Sequence, residues 1–307
     1  SKICLMDKKK KVLTAINLTV RRKLMGKILD GKALANLLGE NLKKKVKNLK
    51  AEGITPHFCV INIGDDPASK IYVRTKKRRA EKMGIIQDIY QMPADTKQQE
   101  ALDLIDKLNA NPNINGVMVQ LPAPEQIDAD ELLERIDPNK DVDGLTPANI
   151  GRLWMEDHFI EPATAEGIIA LLKHYEIPLK GKDVVVIGRS NIVGKPLAAL
   201  MLEQNATVTI AHSETTNLAE LTKRADIIVS ATGEALLVKA DMVKDGAVVV
   251  DVGINHLNGK LVGDVDFDAV KEKASYITPV PGGVGPLTVQ FLMEAVVKLT
   301  RRQNGRK

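Results

Sequence analysis

Short apolar runs rich in β-branched residues alternate along the chain with segments in which apolar residues recur at helical spacing. This alternation is typical of α/β domains with largely parallel sheets. In the first half, the predicted strands are 57–63, 87–92 and 116–122. The predicted helices are 67–84, 96–109 and 128–136. Asp66 is the expected N-cap of the first helix, and Pro67 its first residue.

A second alternating series follows the turn-rich stretch 137–151, which we interpret as the crossing between two domains. Its predicted strands are 182–188, 206–211, 225–232 and 246–253. Its predicted helices are 165–175, 194–204 and 217–223. Residues 275–286 contain too much glycine and proline for a regular element, so we expect a loop there, followed by a closing helix over 287–302.

Two domains also fit a length of 307 residues. We expect an N-terminal α/β domain over 25–147, completed by the closing helix at 287–303. A Rossmann-type domain is expected over 148–286, with a cleft between the two domains. Residues 1–24 are predicted to be a basic extension, disordered or artificial, because Met25 begins a sequence that resembles a natural start.

Composition narrows the class of protein. Apolar residues make up 44% of the chain and charged residues 27%, as in ordinary globular proteins. No uncharged apolar stretch is long enough for a transmembrane helix, so no membrane partner is expected. Cys4 and Cys59 are too few for a disulfide framework or a thiolate metal cluster. This cysteine usage favours a reducing, cytoplasmic setting.

The net charge of +5 is unevenly distributed. Eight Lys or Arg residues against one Asp give residues 1–24 a charge of +7. The last seven residues add four positive charges, which leaves residues 25–300 at −6. A net negative charge over residues 25–300 differs from the basic surface that is typical of nucleic-acid binders, so we expect no nucleic-acid partner.

A glycine-containing turn with Gly188 and Gly194 joins the predicted strand 182–188 to the following helix. Backbone amides at such a helix N terminus bind phosphate. The spacing differs from the G-x-G-x-x-G fingerprint, and an ordinary βα turn would also explain it. Arg189 and Ser213 favour NADP over NAD, because no carboxylate occupies the position that binds ribose hydroxyls. Glu214, one residue further, weakens that preference.

Three other features carry candidate chemistry. Tyr72 and Lys76 are four residues apart on a predicted helix and share one face, although an amphipathic surface helix has the same pattern. Gln120 lies near the end of a strand, where ligands bind in open α/β sheets, although capping of a loop amide explains it nearly as well. Asp141 and Asp143 lie in a turn, and without another ligand at suitable spacing we expect no metal site.

Five motifs taken together are far more specific. They are DDPASKIYVRTK, VMVQLPAP, KDVDGL, GRSNIVGKP and TPVPGGVGPLT, in this order along the chain. In order and spacing they resemble the bifunctional methylenetetrahydrofolate dehydrogenase/cyclohydrolase family, from about Gly26 to the last helix. The departures are small: Leu287 stands where that family usually has Met, and Ala163 and Ala165 replace its Cys and Pro.

This resemblance implies oxidation of 5,10-methylenetetrahydrofolate with NADP and hydrolysis of the methenyl product to 10-formyltetrahydrofolate, in one cleft of a homodimer. It implies that Tyr72 stacks on the pterin and that Lys76 is the general acid/base, hydrogen-bonded to Gln120. It also implies that Asp143 holds the pterin amino edge. Further folate contacts are implied at Val119, Leu121, Pro281, Gly282, Gly283, Val284, Gly285 and Pro286. NADP contacts are implied at Gly188, Arg189, Ser190, Gly194, Ser213 and Ile254.

Two rival functions are weighed against this reading. An NAD(P) dehydrogenase for amino or hydroxy acids would need a His or Lys proton carrier for a carbonyl group. A nucleic-acid binder would depend on the basic ends of the chain and would lose salt-dependent affinity without residues 1–24.

Overall fold

The computed structural model describes residues 26–306. The predicted extension 1–24, with Cys4, lies outside the described residues. Up to residue 177 the elements are β1 (Lys27–Ile28), α1 (Gly31–Ala51), β2 (His57–Ile63), α2 (Pro67–Met83), β3 (Ile86–Met92), α3 (Gln98–Ala110), β4 (Gly116–Gln120), α4 (Ala129–Arg135), α5 (Pro147–Trp154) and α6 (Ala163–His174). The remaining helices and strands are β5 (Asp183–Ile187), α7 (Gly194–Glu203), β6 (Thr207–Ala211), α8 (Leu218–Arg224), β7 (Ile227–Ser230), β8 (Val248–Asp251), β9 (Asn255–Leu257), β10 (Lys260–Val262), α9 (Phe267–Lys271), β11 (Tyr276–Ile277) and α10 (Val284–Gln303).

The described chain forms two compact units. We call them the three-strand unit, with residues 31–177, 190–203 and 285–306, and the six-strand unit, with residues 26–30, 178–189 and 204–284. Each is named after its main sheet.

The sheet of the three-strand unit has the order β3-β2-β4, and both pairings are parallel. The central strand β2 is buried from Phe58 to Ile63, as expected for a strand with a neighbour on each side. One core cluster joins apolar side chains of β2 and β4 to those of α3 and α4. The closing helix α10 packs in this unit, where Gln303 donates hydrogen bonds to the carbonyls of Asn115 and Asn139.

The sheet of the six-strand unit has the order β1-β11-β8-β7-β5-β6, with every pairing parallel. Its central strands are nearly continuous valine and isoleucine and are buried, apart from Asp183 at the start of β5, which is typical of parallel sheets covered on both faces. The prediction of a two-part α/β fold with parallel sheets is confirmed. None of the helices within residues 26–306 is both long enough and apolar enough to cross a membrane.

One prediction of irregular structure is wrong, and one turn-rich stretch contains more regular structure than its composition suggests. The turn-rich stretch 137–151 contains the start of α5, because the Thr146 side chain caps the Asn149 amide and Pro147 suits the first helical position. The expected loop 275–286 contains β11, and α10 begins at Val284 with Pro286 in its first turn. Proline is tolerated there because the first helical amides have no partner within the helix. The sequence pattern also gave no position for helix α1.

Candidate active site and nucleotide-binding edge

Helix α2 carries Tyr72 and Lys76, the pair that the sequence places on one helix face. The Asp66 carboxylate accepts a hydrogen bond from the Ser69 amide at 2.7 Å, and Gly84 ends the helix with a φ of 78°. Lys76 lies on the buried stripe of the helix with Val73 and Ala80, whereas the lysine next to it, at position 77, is exposed. The amphipathic pattern of α2 therefore buries Lys76 and leaves Lys77 exposed.

Lys76 is held by the end of strand β4. Its side chain is 9% exposed, and its ammonium Nζ donates to Gln120 Oε1 at 2.9 Å and lies 3.7 Å from Met118 Sδ. Gln120 in turn donates from Nε2 to the Leu121 carbonyl at 2.8 Å, which orients its oxygen toward the lysine. Burial lowers the pKa of Lys76, and the negative charge of Asp143 opposes that shift. Lys76 therefore loses its proton more readily than a free lysine does.

Asp143 is presented by a loop that Asp141 organises. The buried Asp141 carboxylate accepts hydrogen bonds from the amides of Gly144 at 2.9 Å and Thr146 at 2.8 Å, and from Asn149 Nδ2 at 2.9 Å. Burial raises the pKa of Asp143 to about 6; the charge of Lys76 opposes the rise and that of Asp141 adds to it. A carboxylate held this way suits a ligand with N–H donors.

A cavity of about 150 Å³ brings these side chains together within the three-strand unit. It is lined by Lys76, Met118, Val119, Gln120, Leu121, Asp143, Leu145, Pro162, Ala163, Thr164, Ile192, Val193 and Thr288. Tyr72 is not in this lining: it lies one turn before Lys76 on α2 and is 37% exposed. Burial of part of the ring raises the pKa of Tyr72. Tyr72 is therefore partly accessible to a ligand, one helical turn from the cavity-lining lysine.

Sequence reasoning missed two threonines of this site and an asparagine on the strand next to Gln120. Thr164 and Thr288 line the cavity, and their hydroxyl oxygens are 3.0 Å apart. Asn62 is buried at the carboxyl end of β2, in register with Gln120, and donates to Gln91 on β3 at 2.8 Å. Asn62, Gln91 and Gln120 lie near the carboxyl ends of three parallel strands. This pattern of polar residues could have indicated the site from the sequence, whereas the sequence analysis considered only Gln120.

The glycine and proline segment 281–286 places its two adjacent glycines under different constraints. Gly282 has a φ of 110°, which side-chain-bearing residues rarely adopt. A Cβ atom on Gly283 would lie 2.6 Å from the Pro279 carbonyl oxygen and 2.8 Å from Thr278 Cβ. Val284, Gly285 and Pro286 form the first turn of α10.

The predicted nucleotide residues of the six-strand unit follow the carboxyl ends of its strands. Strands β5 and β6 pair with Ile187 opposite Ala211, so Arg189 and Ser213 each lie two residues beyond a matched pair. Both are exposed, as is Ile254 after β8, and Ser213 donates a hydrogen bond to Glu214 at 3.3 Å. None of the ion pairs within residues 26–306 involves Arg189.

This edge fits a phosphorylated dinucleotide. Gly188 has a φ of 124°, and a Cβ atom there would overlap the Ala231 carbonyl, so the backbone turn requires glycine. The exposed guanidinium and hydroxyl beyond the strands are donors suited to a ribose phosphate. Ser190 and Gly194 lie in the three-strand unit, where the Ser190 hydroxyl accepts from the amides of Val193 at 3.2 Å and Gly194 at 3.4 Å.

Comparisons with known proteins agree with this geometry. Residues 29–143 match the family model of the tetrahydrofolate dehydrogenase/cyclohydrolase catalytic domain, and residues 162–304 match that of its NAD(P)-binding domain. The bifunctional protein FolD of Lactobacillus acidophilus is 88% identical over 283 residues, which cover 92% of this chain and 100% of that protein.

Solved structures show the same similarity. The crystal structure of the bifunctional FolD enzyme from Campylobacter jejuni is 48% identical with a TM-score of 0.88, covering 90% of this chain and 99% of that one. The Trypanosoma brucei FolD, crystallised with NADP cofactor and an inhibitor, is 36% identical with a TM-score of 0.87, covering 90% of this chain and 98% of that one.

Proposed function

The chain belongs to the tetrahydrofolate dehydrogenase/cyclohydrolase family, and we propose that Lys76 is the proton carrier of its hydrolytic step. The protein is a bifunctional enzyme of one-carbon folate metabolism. It oxidises 5,10-methylenetetrahydrofolate with NADP and hydrolyses the resulting 5,10-methenyltetrahydrofolate to 10-formyltetrahydrofolate. The observation that carries the role of Lys76 is its hydrogen bond to Gln120, made at 2.9 Å inside a cavity that Asp143 also lines.

Substrate binding is assigned to the residues around this cavity. A pterin ring is flat and has N–H donors along one edge, so it suits an aromatic face and a carboxylate. Tyr72 supplies the face, and Asp143 supplies the carboxylate that accepts from the pterin amino edge. Val119 and Leu121 contribute apolar and backbone contacts, and the segment from Pro281 to Pro286 contacts the folate through its backbone.

The dehydrogenase step requires alignment and no proton carrier. When bound, NADP accepts a hydride from the methylene bridge. Tyr72 and Asp143 hold the pterin so that loss of the hydride leaves a resonance-stabilised cation on the folate itself. Burial favours the neutral amine form of Lys76. In that form the lysine adds no second positive charge next to the folate cation.

The cyclohydrolase step requires two proton transfers. Water attacks the methenyl carbon, and the Lys76 amine accepts a proton from that water. The resulting ammonium returns the proton to the pterin nitrogen as the carbon–nitrogen bond breaks. The remaining proton of the attacking water is released to solvent as the formyl carbonyl forms. Gln120 orients the amine without adding a charge, so the lysine can cycle between its two protonation states.

The nucleotide is assigned to the edge of the six-strand unit. Arg189 and Ser213 bind the ribose phosphate, Gly188 permits close approach of the backbone, and Ile254 contacts the cofactor. Ser190 and Gly194 belong to the same assignment through the turn that follows β5. The exposed guanidinium and the absence of a carboxylate at position 213 support the choice of NADP.

The proposal includes a homodimer in the cytoplasm that does not bind nucleic acid. The family resemblance supports the dimer, the two cysteines support a reducing compartment, and the net negative charge of residues 25–300 argues against a nucleic-acid partner. Light scattering of the purified protein tests the dimer, and retention of turnover after deletion of residues 1–24 tests whether the basic segment matters.

One experiment tests the catalytic assignment as a whole. The protein is mixed with methylenetetrahydrofolate and either NADP or NAD, while reduced cofactor and the methenyl absorbance are followed together. We expect NADPH to form with little methenyl accumulation. Gln120→Ala should let methenyl product accumulate, whereas Gln126→Ala, whose side chain donates to backbone carbonyls elsewhere, should behave as the parent. Equal behaviour of the two variants would remove Gln120 from the proposal.

A further inference from the structure

The opposite end of the three-strand sheet carries a second cluster of polar side chains. His57 and Cys59 are two residues apart on β2 and therefore point to the same face. Asp88 on β3 is in register with Cys59, so its side chain lies on that face too. One possible ligand atom from each of the three residues lies within 4.8 Å of the others.

This cluster is separate from the active site. Gln120 is in register with Asn62 at the carboxyl end of β2, whereas His57 begins that strand. Five residues of strand correspond to about 17 Å at roughly 3.3 Å per residue. Neither Lys76 nor any other residue lining the active-site cavity belongs to the cluster. Its chemistry therefore has no part in the folate reaction described above.

The donor atoms point to a class of ion. An imidazole nitrogen, a thiolate sulfur and a carboxylate oxygen together suit Zn²⁺ and similar borderline transition ions, whereas Mg²⁺ and Ca²⁺ select oxygen ligands. Zinc bonds of about 2.0–2.3 Å place tetrahedral ligands roughly 3.5 Å apart. Closing the present separations, which reach at most 4.8 Å, needs a shift of about an ångström.

An ion can reach the cluster from solvent, because two of its three side chains are at least partly exposed. The Asp88 side chain is 50% exposed and that of His57 is 20% exposed, while Cys59 is fully buried beneath them. His57 Nε2 and Asp88 Oδ2 are 2.8 Å apart, which already restrains the imidazole. Burial, followed by the negative charge of Asp88, raises the pKa of the Cys59 thiol to about 12, and the positive charge of Lys140 opposes that rise. The Lys140 ammonium donates hydrogen bonds to the carbonyls of Leu108, Asn109 and Asn111.

We propose that His57, Cys59 and Asp88 bind a zinc-class divalent ion in a structural site that ties the start of β2 to β3. Solvent completes the coordination. The Cys59 thiol gives its proton to the solvent as the sulfur–metal bond forms, so binding releases a proton. Because the ion binds the folded arrangement only, it stabilises the native state.

The test uses the full chain with Cys4→Ser, which leaves Cys59 as the only thiol. Any purification tag is removed, and Co²⁺ is titrated in. We expect one Co²⁺ per chain, with visible ligand-field bands and a near-ultraviolet thiolate-to-cobalt charge-transfer band that Zn²⁺ abolishes. Zn²⁺ should also raise the melting temperature. Absence of the charge-transfer band from this folded protein would overturn the proposal.

Variants separate the three ligands from chance binding. His57→Gln and Asp88→Asn should each weaken Co²⁺ binding by about tenfold or more. Cys59→Ser should remove the charge-transfer band and the Zn²⁺-dependent rise in melting temperature. His256→Gln changes an exposed histidine outside the cluster and should bind as the parent does. Unchanged Co²⁺ affinity in His57→Gln, or its loss in His256→Gln, would place the ion elsewhere and contradict the site.

Discussion

The Lys76 cavity and the Arg189 edge both lie at the carboxyl ends of parallel strands, but their polar residues differ in exposure to solvent. Lys76 and Gln120 are buried and bonded to each other, and the Asp143 loop is held by three hydrogen bonds to Asp141. Arg189 and Ser213 are exposed. Proton transfer needs a shifted pKa and fixed geometry, which burial provides, whereas recognition of a phosphate needs an accessible charge.

The sharpest test of this contrast is Lys76→Met, which keeps the length and the apolar stem but removes the proton carrier. Hydrolysis of methenyltetrahydrofolate should fall by about 10²–10⁴-fold, the usual contribution of general acid–base catalysis. A measurable share of hydride transfer should remain, because that step needs pterin binding but no proton. Methenyl product should then accumulate as NADPH forms, beyond its spontaneous hydrolysis.

Lys77→Met is the matched control, since Lys77 is the exposed neighbour on the same helix. It should retain both activities. Parent-like hydrolysis by Lys76→Met would mean that the amine has no acid/base role and that the buried site has been misassigned.

At the exposed edge, Arg189→Ala should raise the Michaelis constant for NADP far more than that for NAD. A charge-assisted contact to phosphate contributes about 1.5–3 kcal/mol, or roughly ten- to a hundredfold. Steady-state kinetics with both cofactors measure the difference, and Lys195→Ala, whose ammonium bonds Asn191, serves as a control cation. An equal loss with both cofactors would show that Arg189 supports the turn and does not read the phosphate.

Gly283→Val tests whether the segment 281–286 contributes to the folate site. The added Cβ would meet the Pro279 carbonyl, so the backbone must shift, at a cost of about 1–3 kcal/mol. We expect weaker folate binding with NADP binding nearly intact, measured by calorimetry of each ligand. Gly151→Ala should change neither, because a Cβ added there would meet no atom within 4 Å beyond its own helix backbone. Folate affinity that survives the Gly283 change would make the segment a connector.

The effect that is smallest near neutral pH is the pH dependence of folate binding. Because the pKa of Asp143 is raised to about 6, its carboxylate is protonated as the pH falls through that value. The kcat/KM for methylenetetrahydrofolate should therefore fall by about tenfold per pH unit below 6. Asp143→Asn should lower activity and remove this acid limb, whereas Asp65→Asn, on an exposed side chain, should keep it. An unchanged limb in Asp143→Asn would assign the titration to another group.

Regular elements were the most predictable part of the molecule. The strand over 57–63 and the helix from Pro67 to near Gly84 follow from local rules, namely β-branched runs, an Asp cap, proline at the first position and glycine in a left-handed conformation. The start of α10 at Val284 was missed because the tolerance of a first helical turn for Gly and Pro depends on the packing that follows.

The sequence by itself determined the identity of the chemical groups: a Tyr–Lys pair on one helix face, a glutamine at a strand end and an arginine beyond a glycine turn. Five motifs in order were enough to indicate the family. Only the tertiary structure decided which cation is buried, because Lys76 and Lys77 differ by 100° around α2 and the sheet covers just one of those directions. Hydrogen bonds between residues far apart in sequence, such as Lys76 to Gln120 and Thr164 to Thr288, arise when strands and helices pack. Residue spacing records local periodicity, and it carries no information about which distant surfaces meet.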